Sequence, residues 1–264
     1  MTPEETPVQP HVQPTQALVA QRSNLGIPVA IVIAAVLIAG AIYMGGLKSG
    51  KNVDLQGAIG SAQDKEQVTP EIKVAPVTEK DHVRGNPNAD ILIVEYSDYE
   101  CPFCKNFHET MQKLVKEYGS TGKVAWVYRH FPLEQLHVNA PKIAAASECV
   151  AEQGGNDAFW KFTDLVFGER AVNEKTDMSK LPQYAEKAGV DKNKFELCFS
   201  SNKHDTTIKD AVTAALATGA RGTPYSILMV GDQQGVINGA QPYEVVKQMI
   251  DNVVTQMEGG TTVK

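Results

Sequence analysis

The sequence predicts an α/β domain, a βαβ half followed by a ββα half with a helical block between them, standing behind a single N-terminal transmembrane helix. Three observations lead there. Leu25 to Leu47 is a run of 23 residues without a charge. Residues 91–96, 101–118 and 123–130 read in turn as strand, helix and strand, which makes one βαβ unit. After residue 203 a helix leads into two short strand-like runs and a terminal helix.

The first 24 residues, with Pro3, Pro7, Pro10 and Pro14 among polar neighbours, read as a disordered polar tail. As a helix, residues 25–47 would be about 34 Å long against a hydrocarbon core of about 30 Å, so the run is expected to anchor the chain in a lipid bilayer. A cleaved signal peptide is the rival reading, with Ala39, Gly40 and Ala41 as its cleavage site. Arg22 precedes the run and Lys48 and Lys51 follow it, so charge alone does not orient it. Residues 48–70 are polar, carry Gly50, Gly57 and Gly60, and read as a flexible linker. The folded domain is expected over residues 71–258.

Within that domain, Ile91 to Tyr96 (ILIVEY) is β-branched and apolar enough for a strand covered on both faces, apart from Glu95. Phe103, Phe107, Met111, Leu114, Val115 and Tyr118 recur at helical spacing, and Gly119 and Gly122 stop that helix. Lys123 to His130 (KVAWVYRH) reads as the next inner strand. Residues 139–205 hold the helical patterns PKIAAASECVAEQ, DAFWKFTDLVF, LPQYAEKAG and DKNKFELCFS, and no convincing strand. The closing half comprises SILMV, a turn at Gly231 to Gly235, GVINGA, and a helix from Tyr243 to about Met257. Trp126, Phe159, Trp160 and Phe162 are expected in the core.

Composition bounds the function. With 25 Lys plus Arg against 31 Asp plus Glu, the net charge of −6 and pI near 5.6 argue against nucleic acid as a partner. The four cysteines are too few for a disulfide-scaffolded miniprotein.

Cys101, Pro102, Phe103 and Cys104 form CPFC at the start of a helix that follows a buried strand. A thiol there sits near unpaired backbone N–H groups and the positive end of the helix dipole, so Cys101 is expected to ionise readily. Cys104, one turn deeper on the same face, can close a disulfide with it. Pro102 stands where its missing N–H costs nothing. A c-type haem would need His where Lys105 stands. A zinc site at CPFC would find at most His108 nearby, so neither metal nor other cofactor is expected. His108 itself reads as a surface helix residue. Glu95 in an apolar strand needs a partner or a task, and proton handling beside Cys104 is the one assigned to it.

The run IVEYSDYECPFCKNFH, the acid Glu95 six residues before Cys101, Thr223-Pro224 in GARGTP, and the helical block between two halves together resemble the thioredoxin fold. They resemble in particular its DsbA-like thiol-disulfide oxidoreductases, among which membrane-anchored bacterial BdbD-like members are the nearest kind. The resemblance covers about Glu71 to Met257 and implies several things. Thr223-Pro224 would be a cis peptide whose Thr223 backbone pairs with an extended substrate beside Cys101. Pro102 and Phe103 would flank bound substrate. Cys149 and Cys198 would form a second, structural disulfide, contributing about 4 kcal/mol in the chain-entropy model. The dipeptide Pro102-Phe103 differs from the Pro-His of the best-known DsbA oxidases, and with no imidazole beside the thiolate a weaker oxidant is expected.

The function expected is an extracytoplasmic oxidase passing the Cys101-Cys104 disulfide to thiols of exported proteins or peptides. A quinone-linked membrane protein would re-oxidise it, and the cell membrane would hold it as a single-pass protein. The alternatives are a disulfide reductase or isomerase, and a non-catalytic peptide-binding holdase module.

Overall fold

In the computed structural model, residues 73–259 are described. The expected tail, transmembrane segment and linker lie outside them. Among the described residues no helix is long and apolar enough to cross a membrane.

The sheet has five strands: β1 (His82–Gly85), β2 (Ile91–Ser97), β3 (Val124–His130), β4 (Tyr225–Val230) and β5 (Gln233–Asn238). Their spatial order is β1-β3-β2-β4-β5. β2 and β3 are parallel, and every other pair is antiparallel. A parallel pair needs a crossover, which α1 (Pro102–Tyr118) supplies. Between β3 and β4 lie α2 (Ala140–Glu169), α3 (Leu181–Ala188), α4 (Lys192–Ser200) and α5 (Asp205–Ala217), and α6 (Tyr243–Gly259) closes the domain.

Strand periodicity sorts the core into two layers. Ile91, Ile93, Trp126 and Tyr128 face one way and pack with Phe107, Met111 and Leu114 of α1, with Val246 and Ile250 of α6, and with the helical block. Val94, Tyr96, Val127 and Ile227 face the other way, against Ala215 at the end of α5 and Ala220. Trp126, Phe159, Trp160 and Phe162 are all buried.

The structure departs from the sequence reading in four places. β1 was not expected, because four residues, HVRG, carry no alternation to detect. The patterns PKIAAASECVAEQ and DAFWKFTDLVF join in α2, which breaks within its span at Gly155 (φ 68°, ψ −162°), a conformation glycine adopts without a Cβ penalty. The turn between β4 and β5 is shorter than Gly231 to Gly235, since β5 already begins at Gln233. His108 is buried and not on the surface, because Asp164, brought over by α2, accepts a 2.8 Å hydrogen bond at its Nε2.

Candidate active site

β2 ends at Ser97, a tight turn follows, and Cys101 is the N-cap of α1 with extended backbone (φ −68°, ψ 125°) and Pro102 in the first turn. The turn is fixed by its own acids. Asp98 accepts the Glu100 N–H at 2.7 Å, the Leu133 N–H at 2.7 Å and a 2.8 Å contact from His137 Nδ1. Glu100 accepts the N–H groups of Asn139 (3.0 Å) and Thr176 (3.1 Å) and the Asn139 side-chain amide (3.2 Å). Two buried carboxylates thereby tie the loop after β3 and the segment after α2 to the residues just before Cys101.

Cys101 and Cys104 are both free thiols and both buried. The Cys101 thiol donates to the Thr223 carbonyl at 3.4 Å, and the Asp98 N–H donates to Cys104 Sγ at 3.5 Å. Thr223-Pro224 is a cis peptide, so the loop before β4 meets the helix N-terminus at the sulfur. The Thr223 carbonyl is thus turned toward Cys101. Cys101 has only 4% of its surface exposed, against 61% for Phe103 beside it; the thiol is recessed next to an exposed aromatic ring.

The two thiols are driven apart in acidity. The Cys104 thiol as hydrogen-bond donor lowers the pKa of Cys101 most; burial opposes it, and the Thr223 side chain and the N–H groups of Cys104 and Phe103 bring it to about 6, from 9.0. The Thr223 hydroxyl is buried without a partner while Cys101 is a thiol, which leaves it available as a donor to the thiolate. Cys104 is pushed well upward, by burial first and then by its neighbour Cys101. One proton shared unequally between two sulfurs gives a nucleophile and a buried leaving group.

Beneath them, Glu95 is wholly buried in β2, and Trp126 Nε1 donates to its Oε2 at 2.9 Å. Burial raises its pKa from 4.5 to about 7, against the lowering contacts of Ser97 and Trp126. In register it stands between Tyr128 of β3 and Ser226 of β4. The Ser226 hydroxyl is buried without a hydrogen-bond partner, and the Ser97 hydroxyl lies near enough to Glu95 and Cys104 to lower the pKa of both. This rung is a polar patch within an otherwise apolar layer. Cys104 feels the Glu95 charge.

Arg170, which caps the end of α2, was not foreseen. Its Nη2 donates to the Cys101 carbonyl at 3.2 Å and its Nη1 to the Glu174 carbonyl at 2.9 Å, while Nε, also buried, has no partner. Its charge acts on Glu100, Cys101, Asp98 and Cys104. No local signal marks it, since it arrives from 69 residues along the chain. Away from the site, Cys149 of α2 and Cys198 of α4 are joined by a disulfide. Among the described residues, the groups that could ligate a metal, Cys149–Cys198–His204 and His82–His130–Glu148, include neither cysteine of CPFC.

A thiolate-prone cysteine at a helix N-terminus, a buried partner thiol one turn on, a buried acid in the central strand and a cis-proline loop against the sulfur define the dithiol site of a thioredoxin-fold protein. The family model described as Thioredoxin matches residues 77–252, and the chain belongs to that family. Its fold is that of the DsbA-like thiol-disulfide oxidoreductases. DsbA2 of Pseudomonas aeruginosa is similar at 26% identity and a TM-score of 0.54, covering 69% of this chain and 97% of that one. The oxidised BdbD of Bacillus subtilis is similar in fold, at 20% identity and a TM-score of 0.60, covering 69% and 96%. Among curated sequences, the Na(+)/H(+) antiporter NhaA 3 of Salinispora tropica is 34% identical over 146 residues, and NhaA 1 of Mycolicibacterium gilvum is 40% identical over 118 residues. The matches span 55% and 45% of this chain but only 21% and 18% of those antiporters.

Proposed function

We propose that the chain is a thiol-disulfide oxidoreductase working as an oxidase outside the cytoplasm. The observation that carries this is the split acidity of the two cysteines. A Cys101 thiolate held at about 6 stabilises the reduced form, and whatever stabilises the reduced form makes the disulfide a stronger oxidant.

Catalysis begins from the Cys101–Cys104 disulfide. A substrate thiolate attacks Cys101 Sγ, the S–S bond breaks, and its electron pair leaves on Cys104 Sγ. Glu95, poised near 7, gives that sulfur a proton, since Cys104 is disfavoured as an anion in its buried position. A second substrate thiolate then attacks the substrate sulfur of the mixed disulfide and releases Cys101 as a thiolate. The substrate loses two electrons and gains a disulfide; the protein gains them as a dithiol. Exposed Phe103 offers apolar surface to the substrate chain, and Thr223-Pro224 lines the other side of the sulfur. Thiols of exported proteins or peptides are the substrates of this reading. A quinone-linked membrane protein re-oxidises the pair, and the segment at residues 25–47 holds the enzyme on the outer side of the bilayer.

The test is the equilibrium reduction potential of Cys101–Cys104 against glutathione. A value toward about −120 mV supports an oxidase, and one near about −270 mV assigns the chain to reductive work. Full activity in Cys101→Ser would leave only a binding module.

A further inference from the structure

We propose that His82, His130 and Glu148 form a binding site for one divalent transition-metal ion of the zinc class. The three residues come from three elements: His82 opens β1, His130 ends β3, and Glu148 lies in the first half of α2. His82 pairs in register with Tyr128, so His130, two residues further along β3, falls on the same face of the sheet. That face is covered by α2. Both imidazole Nε2 atoms lie 2.8 Å from the same carboxylate oxygen, Glu148 Oε1. Among the described residues, these three atoms have no other hydrogen-bond partner, and all lie within 4.8 Å of one another.

The rings are aimed by packing. His82 stacks on Phe159 with centroids 3.5 Å apart and planes 8° apart. His130 stands edge-on to Tyr128 and Phe159, at 5.4 and 6.1 Å. Two imidazole nitrogens and one carboxylate oxygen form a borderline donor set, suited to zinc. They offer too few oxygens for calcium or magnesium. Bonds of about 2.0–2.1 Å at tetrahedral angles would separate the ligand atoms by about 3.3 Å. The two 2.8 Å nitrogen–oxygen contacts would open by about half an ångström to admit the ion, and the two histidine nitrogens, within 4.8 Å of each other, would set their separation to the same value. Side-chain exposures of 12% for His82 and 17% for Glu148 leave the cluster in part reachable from solvent. Bound there, the ion would fasten the edge strand β1 to α2 and β3.

The measurement is zinc titration of the untagged full chain, chelator-stripped and oxidised so that both cysteine pairs are disulfides and cannot ligate. One saturable zinc site is expected, with a rise in thermal midpoint that equal calcium does not produce, and with a visible cobalt(II) spectrum of low coordination number. His82→Phe keeps the ring stacked on Phe159 and removes the nitrogen. Together with Glu148→Gln, it should weaken zinc binding by more than about 100-fold, while His204→Asn leaves it unchanged. Absence of saturable zinc binding, or unchanged affinity in His82→Phe, overturns the site and leaves a hydrogen-bonded clamp. Should Glu148→Gln fail to fold, His82→Phe decides the matter alone.

Discussion

Glu95→Gln should make the reduced protein more stable above neutral pH, because burial raises the Glu95 pKa. Burial raises the carboxyl from 4.5 to about 7. The unfolded chain therefore releases the proton at lower pH than the folded one, and folding is penalised as pH rises from 4.5 toward 7. Above 7 the penalty is complete. The gap of about 2.5 pH units corresponds to about 3 kcal/mol. Glutamine carries no such linkage. Its carbonyl can still accept from Trp126 Nε1. The variant should exceed the parent by about 3 kcal/mol at pH 8, by about 1 kcal/mol at pH 5, and by almost nothing at pH 4. Urea unfolding of both proteins at the three pH values measures this directly. A stability difference that does not grow with pH would refute the reasoning, because it would mean that Glu95 titrates alike in the folded and unfolded chain. The same variant should slow release of Cys104 as the leaving thiol, so the cost appears in exchange rate and not in stability.

Other outcomes follow from the same geometry. The 240 nm absorbance of Cys101 should titrate near pH 6 in the reduced protein, and Cys104→Ala, which removes the largest lowering contact, should move that midpoint toward 9. Arg170→Met should raise the Cys101 midpoint and make the disulfide less oxidising against glutathione, because a cation acting on Cys101 is lost; an unchanged titration would make Arg170 purely a cap. Phe103→His should shift the potential toward stronger oxidation while altering stability by less than about 0.5 kcal/mol, since residue 103 is exposed. Cys149→Ala with Cys198→Ala should cost about 4 kcal/mol in urea unfolding, the chain entropy of a loop closed over 49 residues.

What could be read from the sequence was local. Ile91 to Tyr96 and the apolar stripe of α1 announce themselves by period, and CPFC reads as redox chemistry because of the strand before it and the helix after it. What could not be read depends on partners that arrive from far along the chain. β1 is too short to show a period and is a strand only because Val124 to His130 pairs with it. His108 lies on the helix face that holds Cys104, yet its burial depends on Asp164, 56 residues on. Arg170 belongs to the site through one carbonyl contact across 69 residues. Asp98 and Glu100 were in plain view inside SDYEC; their roles were hidden because their hydrogen bonds go to residues 133–139 and to Thr176.

Those two acids pose the site's central electrostatic question. Glu95, Asp98 and Glu100 all lie within six residues of Cys101, and three anions beside a sulfur should raise its pKa. It is lowered nonetheless, and the reason lies in how each charge is held. Glu95 is kept from ionising by its own burial until about pH 7. Asp98 and Glu100 are ringed by backbone N–H groups, a histidine and an amide, so their fields are met at short range by donors pointing inward. Arg170 adds a buried cation at the Cys101 carbonyl. The thiolate is left with the Cys104 thiol, the Thr223 hydroxyl and the first N–H groups of α1. The acids build the turn and the donors set the chemistry, so cutting the turn's hydrogen bonds at Asp98 should disturb the acidity of Cys101 more than removing any exposed charge.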